Sequence, residues 1–272
     1  MNRLETRLET LREAGRKALV TFITAGDPGP ATTVPALHAL VEGGADVLEV
    51  GIPFSDPEAE GPVIQAAAER GLASGTTLRK VLDLVADFRR TDDLTPVVLM
   101  GYLNSILAMG SEAFAQRAQH AGVDGLIMVN LPPEEAEELR FFLDKASISL
   151  ILLVAPTTTE DRARYITSQA AGFVYYVSLK GTTGSASLDP VAAGARLRWL
   201  RELTPLPVMC GFGIRDAASA RAMAAHADGV VVGSALVATI AALGTQPENI
   251  PEALRSQVAA IRSGLDRAPE HS

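Results

Sequence analysis

Eight short apolar runs, rich in β-branched residues, recur along this chain at intervals that leave room for a helix between each pair. They cover residues 18–24, 46–51, 96–102, 125–131, 150–156, 173–179, 207–213 and 229–234. Each run is almost continuously apolar instead of alternating, the pattern of strands buried on both faces. The intervening segments carry helical spacing: Val34, Leu37 and Val41 share one face, as do Leu254, Val258, Ile261 and Leu265. Strand and helix in alternation imply a parallel sheet, and eight such units close it. The expected fold is therefore α/β, a (β/α)8 TIM barrel. An extra N-terminal helix bearing Leu4, Leu8 and Leu11 should cover its floor. An open doubly wound sheet would want a Gly-rich first turn, whereas this chain has Thr24-Ala25-Gly26-Asp27-Pro28.

The chain's 272 residues are 47% hydrophobic, enough for one large core, and neither a Pro/Gly/Ser linker nor a repeat divides them. Residues 1–272 are read as a single domain. A formal charge of -8 with no basic stripe argues against nucleic acid, so any bound phosphate must be held by local dipoles. The start, Met1-Asn2-Arg3-Leu4-Glu5, lacks the apolar stretch of a signal peptide, and the apolar run 229–244, interrupted by Gly233-Ser234, is too short to span a membrane. One cysteine, Cys210, suits a reducing compartment. A cytoplasmic protein without membrane contact is the expectation.

In such barrels the chemistry gathers at the C-terminal ends of the strands. Glu49 stands out there, since it lies among Val47, Leu48, Val50 and Ile52, where a charge is costly unless paired or neutralised. A desolvated carboxyl with a raised pKa is suited to giving and taking a proton near neutrality; the alternative is a structural carboxylate paired with a neighbouring strand. Glu60 shares an acidic loop with Asp56 and Glu58. Solvated loop charge is the plain reading of that run, but a loop rooted just after Glu49 can fold back and bring a second carboxylate to the same cavity. Gly211, Gly213, Gly233 and Ser234 follow strands 7 and 8, where barrels often cradle phosphate, and Ser234 is expected to cap the next helix. Gly184 adds a third glycine loop. His38, His120 and His226 fall in helical segments and His271 in the tail, so neither a metal site nor a triad is expected. Cys210 reads as a small core residue. Lys180 is a solvated loop charge or a Schiff-base candidate.

Several stretches resemble the tryptophan synthase alpha subunit family. They are Leu48-Glu49-Val50-Gly51-Ile52-Pro53-Phe54-Ser55-Asp56-Pro57, then Gly61-Pro62 and Ile64-Gln65, Thr24-Ala25-Gly26-Asp27-Pro28, and Leu99-Met100-Gly101-Tyr102. Leu131-Pro132-Pro133-Glu134-Glu135, Gly181 with Thr183-Gly184, and Gly211-Phe212-Gly213-Ile214 complete the series in order, nearly end to end. The resemblance implies a cofactor-free lyase of tryptophan biosynthesis that splits indole-3-glycerol phosphate into indole and glyceraldehyde 3-phosphate. It gives Glu49 the acid/base role and Glu60 the stabilisation of positive charge on the indole nitrogen. Phe22, Ile64, Met100, Tyr175, Thr183 and Phe212 match the substrate pocket, and Gly184, Gly213, Gly233 and Ser234 the phosphate cradle. The segment from 180 to 189 resembles a lid. Pro53, Phe54, Asp56, Asn104 and Pro132 match a face for the beta subunit in an alpha-beta-beta-alpha heterotetramer.

Three positions depart from the family pattern: Glu60 replaces the usual aspartate, Asn130 replaces an acid, and Thr182 stands where valine is common. The extra methylene moves the carboxylate outward by roughly 1.5 Å. Displacement on that scale can cost on the order of 10²-fold unless the loop compensates. A catalytically weak subunit that mainly activates its beta partner is the alternative motivated by Glu60 and Asn130. A Schiff-base aldolase using Lys180 is the third.

Overall fold

The computed structural model describes residues 2–177, 190–211 and 213–267. Eight parallel strands close into one barrel in chain order, each hydrogen-bonded to the next and β8 to β1. They are β1 (Ala18–Thr24), β2 (Val47–Gly51), β3 (Val97–Gly101), β4 (Gly125–Met128), β5 (Ser149–Val154), β6 (Val174–Tyr176), β7 (Val208–Cys210) and β8 (Gly229–Val232). The helices are α1 (Arg3–Glu13), α2 (Pro30–Glu42), α3 (Pro62–Ala73), α4 (Leu78–Arg89), α5 (Leu103–Met109), α6 (Ser111–Ala121), α7 (Glu137–Lys145), α8 (Glu160–Gln169), α9 (Pro190–Leu203), α10 (Ala217–Ala224), α11 (Ser234–Ala242) and α12 (Ile250–Leu265). Most strands stop short of the apolar runs that announce them; β4, for example, ends at Met128 although the run continues to Leu131. Past the last ladder bond, apolar residues such as Leu131 remain buried in the loops.

The two-residue period of each strand sorts its side chains into two cores. Leu48 and Val50 of β2 face outward into the layer between sheet and helices, together with Leu19, Leu99, Val174 and Cys210. Inside the barrel lie Val20, Phe22, Val47, Val98, Met100, Ile127, Ile151, Tyr175, Met209 and Val231. Cys210 is thus a buried core residue, as its surroundings in sequence imply. Leu4, Leu8 and Leu11 of α1 join the inner core and plug its N-terminal end, which confirms the helix across the floor. That helix starts from a capping box, in which the Asn2 side chain accepts from Glu5 N and Glu5 answers to Asn2 N.

At the floor an aspartate immediately precedes each of β2, β4 and β8, and reaches back to an amide of the preceding strand. Asp46 accepts from Leu19 N at 2.8 Å, Asp124 from Val97 N at 2.9 Å and Asp228 from Val208 N at 2.9 Å. Asp46 is bound by Arg262 at 3.0 Å and Arg7 at 2.6 Å, and Asp124 by Arg89 at 2.7 Å and Arg3 at 3.0 Å. Asp228 has Arg201 at 2.9 Å.

Removing a carboxylate that compensates a buried guanidinium strands that charge and orphans an amide. Asp124→Ala is expected to cost about 3 kcal/mol. Asp228→Ala, whose partner Arg201 is exposed, should cost about 1 kcal/mol. Urea denaturation would measure both, and equal losses would show that burial of the partner arginine does not decide the cost.

Candidate active site

Glu49 occupies the inner face of β2, level with Phe22 of β1 and Val98 of β3. It is 1% exposed, and both carboxylate oxygens lack a hydrogen-bond partner among the described residues. Such a group holds its proton: burial, and secondarily the nearby charge of Glu60, push its pKa from 4.5 up to about 8. Among the described residues no ion pair neutralises it. Thr24, one inward step beyond Phe22 on β1, also has a buried hydroxyl without a partner among the described residues.

Aromatic rings wall this carboxyl, and two glycines admit them. A Cβ at Gly51 would lie 2.7 Å from Phe22 Cζ, and one at Gly211 would lie 2.5 Å from the Tyr175 hydroxyl. Any side chain there would drive the ring off the strand end. Phe22, Met100 and Tyr175 belong to the inner core, with Ile64 of α3 packed against it, so four of the expected pocket residues do converge. Tyr175 titrates well above its usual 10, first through burial and then through Glu49 and Glu60, so its hydroxyl stays neutral. Thr183, Gly184, Phe212 and Lys180 lie outside the described residues.

Glu60 comes back close enough for its charge to act on Glu49 and Tyr175. It is partly buried, and burial raises its pKa to about 7. The loop that carries it is held by its backbone. Ala59 N donates to the Tyr102 hydroxyl at 2.9 Å, Glu60 N to Pro57 O at 3.0 Å, and the Gln65 side chain to Glu60 O at 2.9 Å. Tyr102 is itself buried and stacked on Phe54, with centroids 4.9 Å apart. Below the loop, Arg70 of α3 grips Asp27 through two bonds of 2.6 and 2.8 Å, tying the loop after β1 to α3. The motif residues Tyr102 and Gln65 carry a positioning task that reasoning about charge alone overlooks. The available signal was a tyrosine at the end of the strand beside β2.

At the β8 end, Gly233 is the N-cap of α11, and Ser234 makes no capping bond. This corrects the capping role expected of Ser234: the serine is the first helical residue, one place too late for a side-chain cap. Leu236 N and Val237 N both donate to Gly233 O, and among the described residues the amides of Ser234 and Ala235 have no acceptor. An anion could use them. Gly213 has φ +69, and among the described residues nothing lies within 4 Å of where its Cβ would stand, so its backbone can approach a ligand.

Around the rim, Phe54 is half-buried, Asp56, Asn104 and Pro132 are exposed, and Pro53 is buried. Asn130 accepts from Leu103 N at 2.9 Å and so anchors the start of α5. His226 falls in the turn after α10 and not in a helix. Among the described residues no group of His, Cys, Asp and Glu could hold a metal, and no helix is long and apolar enough to cross a membrane.

The folded chain keeps the Glu49 proton to about pH 8, whereas the unfolded chain releases it near 4.5. The corresponding stability is intact below that lower value and erodes as pH climbs through the upper one. Glu49→Gln abolishes this titration, so between about pH 5 and about pH 9 its unfolding free energy should gain on the parent's by the order of 4 kcal/mol. Melting curves that track each other at every pH would mean that Glu49 ionises without penalty.

The family model for the tryptophan synthase alpha chain matches residues 8–265. The tryptophan synthase alpha chain of Alkalilimnicola ehrlichii is 55% identical over 270 residues, spanning 99% of this chain and 98% of that protein. Tryptophan synthase subunit alpha from Legionella pneumophila superposes with a TM-score of 0.92 at 44% identity, over 98% of this chain and 99% of that one. A chain of the tryptophan synthase complex from Pyrococcus furiosus gives 0.81 at 35% identity, over 91% and 99%.

Proposed function

The chain belongs to the tryptophan synthase alpha chain family, the lyase subunits that cleave indole-3-glycerol phosphate, and we propose that it does so with Glu49 and Glu60 as the working carboxyls. The observation that carries this assignment is the unpartnered, protonated Glu49 facing the apolar wall of Phe22, Ile64, Met100 and Tyr175. A flat bicyclic ring suits that wall, while the phosphate lies on the free amides at the start of α11 and the backbone of Gly213 and Gly233. Thr183, Gly184 and Phe212 complete the pocket by family resemblance.

Glu49 delivers its proton to the indole carbon that bears the glycerol phosphate chain. Positive charge then develops toward the ring nitrogen, whose N–H donates to the Glu60 carboxylate. The ionised Glu49 takes the proton from the side-chain hydroxyl as the carbon–carbon bond breaks, leaving indole and glyceraldehyde 3-phosphate. Glu49 ends in its starting state, and no cofactor enters. A pKa near neutrality serves both directions of transfer. Glu60 reaches the nitrogen from a loop fixed by Tyr102 and Gln65, and this fixed base is what lets a longer acid serve in place of aspartate.

The same reading makes residues 1–272 one functional unit in the cytoplasm, joined to a beta subunit through Phe54, Asp56, Asn104 and Pro132, with buried Pro53 supporting that face. The Pyrococcus furiosus relative comes from a tryptophan synthase complex, which supports the partner.

Indole release from indole-3-glycerol phosphate, measured with and without beta subunit, tests the assignment. Glu49→Gln should lower turnover by about 10³-fold. Glu60→Ala should lose about 10²-fold, and Glu60→Asp should hold or raise activity. Full activity in Glu60→Ala would remove that residue from the mechanism. No turnover by the parent in either state, alongside stimulation of the beta subunit, would make the chain an activator only. Tyr102→Phe, which frees the Ala59 amide, is expected to lower kcat by about tenfold with little change in thermal midpoint.

A further inference from the structure

Two of the three floor aspartates are sealed by a pair of arginines, one of them from α1; the third is not. Asp46 takes Arg7 and Asp124 takes Arg3, each of which joins a nearly buried arginine from another helix. One turn further on, Arg12 of α1 turns away to Glu9 at 2.5 Å, and Asp228 is left with Arg201 alone, its side chain 30% exposed. A cavity of about 650 Å³ opens at this place, between the end of α1 and the segment joining α9 to β7.

Its inner wall is apolar, made by Leu8, Leu11 and Met209. Its rim is basic: five lysine and arginine side chains line it against two carboxylates, in a chain of net charge -8. Arg201 is committed to Asp228, but two of the cations face no carboxylate within ion-pair distance among the described residues. Lys17 Nζ donates to Ala227 O at 2.7 Å, and Arg198 Nη1 lies 2.9 Å from His226 Nδ1. Burial lowers the pKa of Lys17, and burial together with Arg198 and Lys17 lowers that of His226. The imidazole is thus kept neutral and accepts from Arg198, while the charge of Asp228, already paired with Arg201, also acts on Lys17, so that one carboxylate serves two cations of this rim.

We propose that this cavity is a second ligand site, at the opposite end of the barrel from Glu49, which takes a small organic anion. The acid group meets Lys17 and Arg198, and the apolar body lies against Leu8, Leu11 and Met209. A carboxylate and a phosphate monoester share the chemistry this rim recognises.

Amide NMR of the full chain, titrated separately with 4-fluorobenzoate and 4-fluorophenyl phosphate, tests the site. Saturable shifts at Ala18, Leu206, Ala227 and Asp228, with a Kd of ~1 mM or below, are expected for at least one probe. The probe that binds more tightly identifies the acid group. Any binding at the mouth would move Gly233 and Ser234 instead. Arg198→Glu, at an exposed position, should weaken the floor titration at least about tenfold, and Arg198→Lys should retain it. Leu206→Trp, which fills the cavity without changing charge, should abolish the floor titration and leave the mouth shifts unaltered. Absence of saturable floor shifts with both probes overturns the proposal, as does a floor affinity indifferent to both Arg198→Glu and Leu206→Trp.

Discussion

Glu49 has both carboxyl oxygens out of water and without a partner among the described residues, a state in which an ionised group would cost several kcal/mol. The surrounding protein tolerates it only because the proton stays on. Rings instead of donors line the site, Tyr175 remains an un-ionised phenol, and the neighbouring acid, Glu60, is itself partly desolvated. A single lysine or arginine on the inner face would collapse the arrangement into a structural salt bridge. Among the described residues no lysine or arginine pairs with Glu49, and that preserves an acid at neutral pH.

The floor treats the same functional group in the opposite way. Asp46 and Asp124 are as buried as Glu49, yet each is surrounded by guanidinium groups and a strand amide. One barrel thus holds carboxyls in two regimes, separated only by the length of its strands. Rigidity at the closed end fixes the strand register, and the register fixes which residue of β2 points inward.

The barrel was legible because parallel strands covered on both sides leave long apolar runs, and the helix at the floor because Leu4, Leu8 and Leu11 recur at its period. Glu49 was legible for the inverse reason, as a charge where none belongs. Strand ends were read too long, since a residue such as Leu131 buries itself in a loop as readily as in a strand. The role expected of Ser234 shifted because a one-residue difference in helix start decides whether a hydroxyl caps or merely begins a turn. The aspartates before β2, β4 and β8 form a short recurrent feature that no long repeat advertises. Their meaning depends on arginines up to 216 positions away, a separation that local patterns do not carry.

The clamp on the second loop takes hold of main-chain atoms: an amide at Ala59 and a carbonyl at Glu60. Main-chain atoms are the same whatever residue is encoded, so mutation at position 60 leaves the anchor untouched while altering how far the acid extends. Lineages can therefore drift between the shorter and the longer acid by a single step, without first rebuilding the scaffold beneath. Tyr102 and Gln65 would have to be inherited together for that freedom to persist.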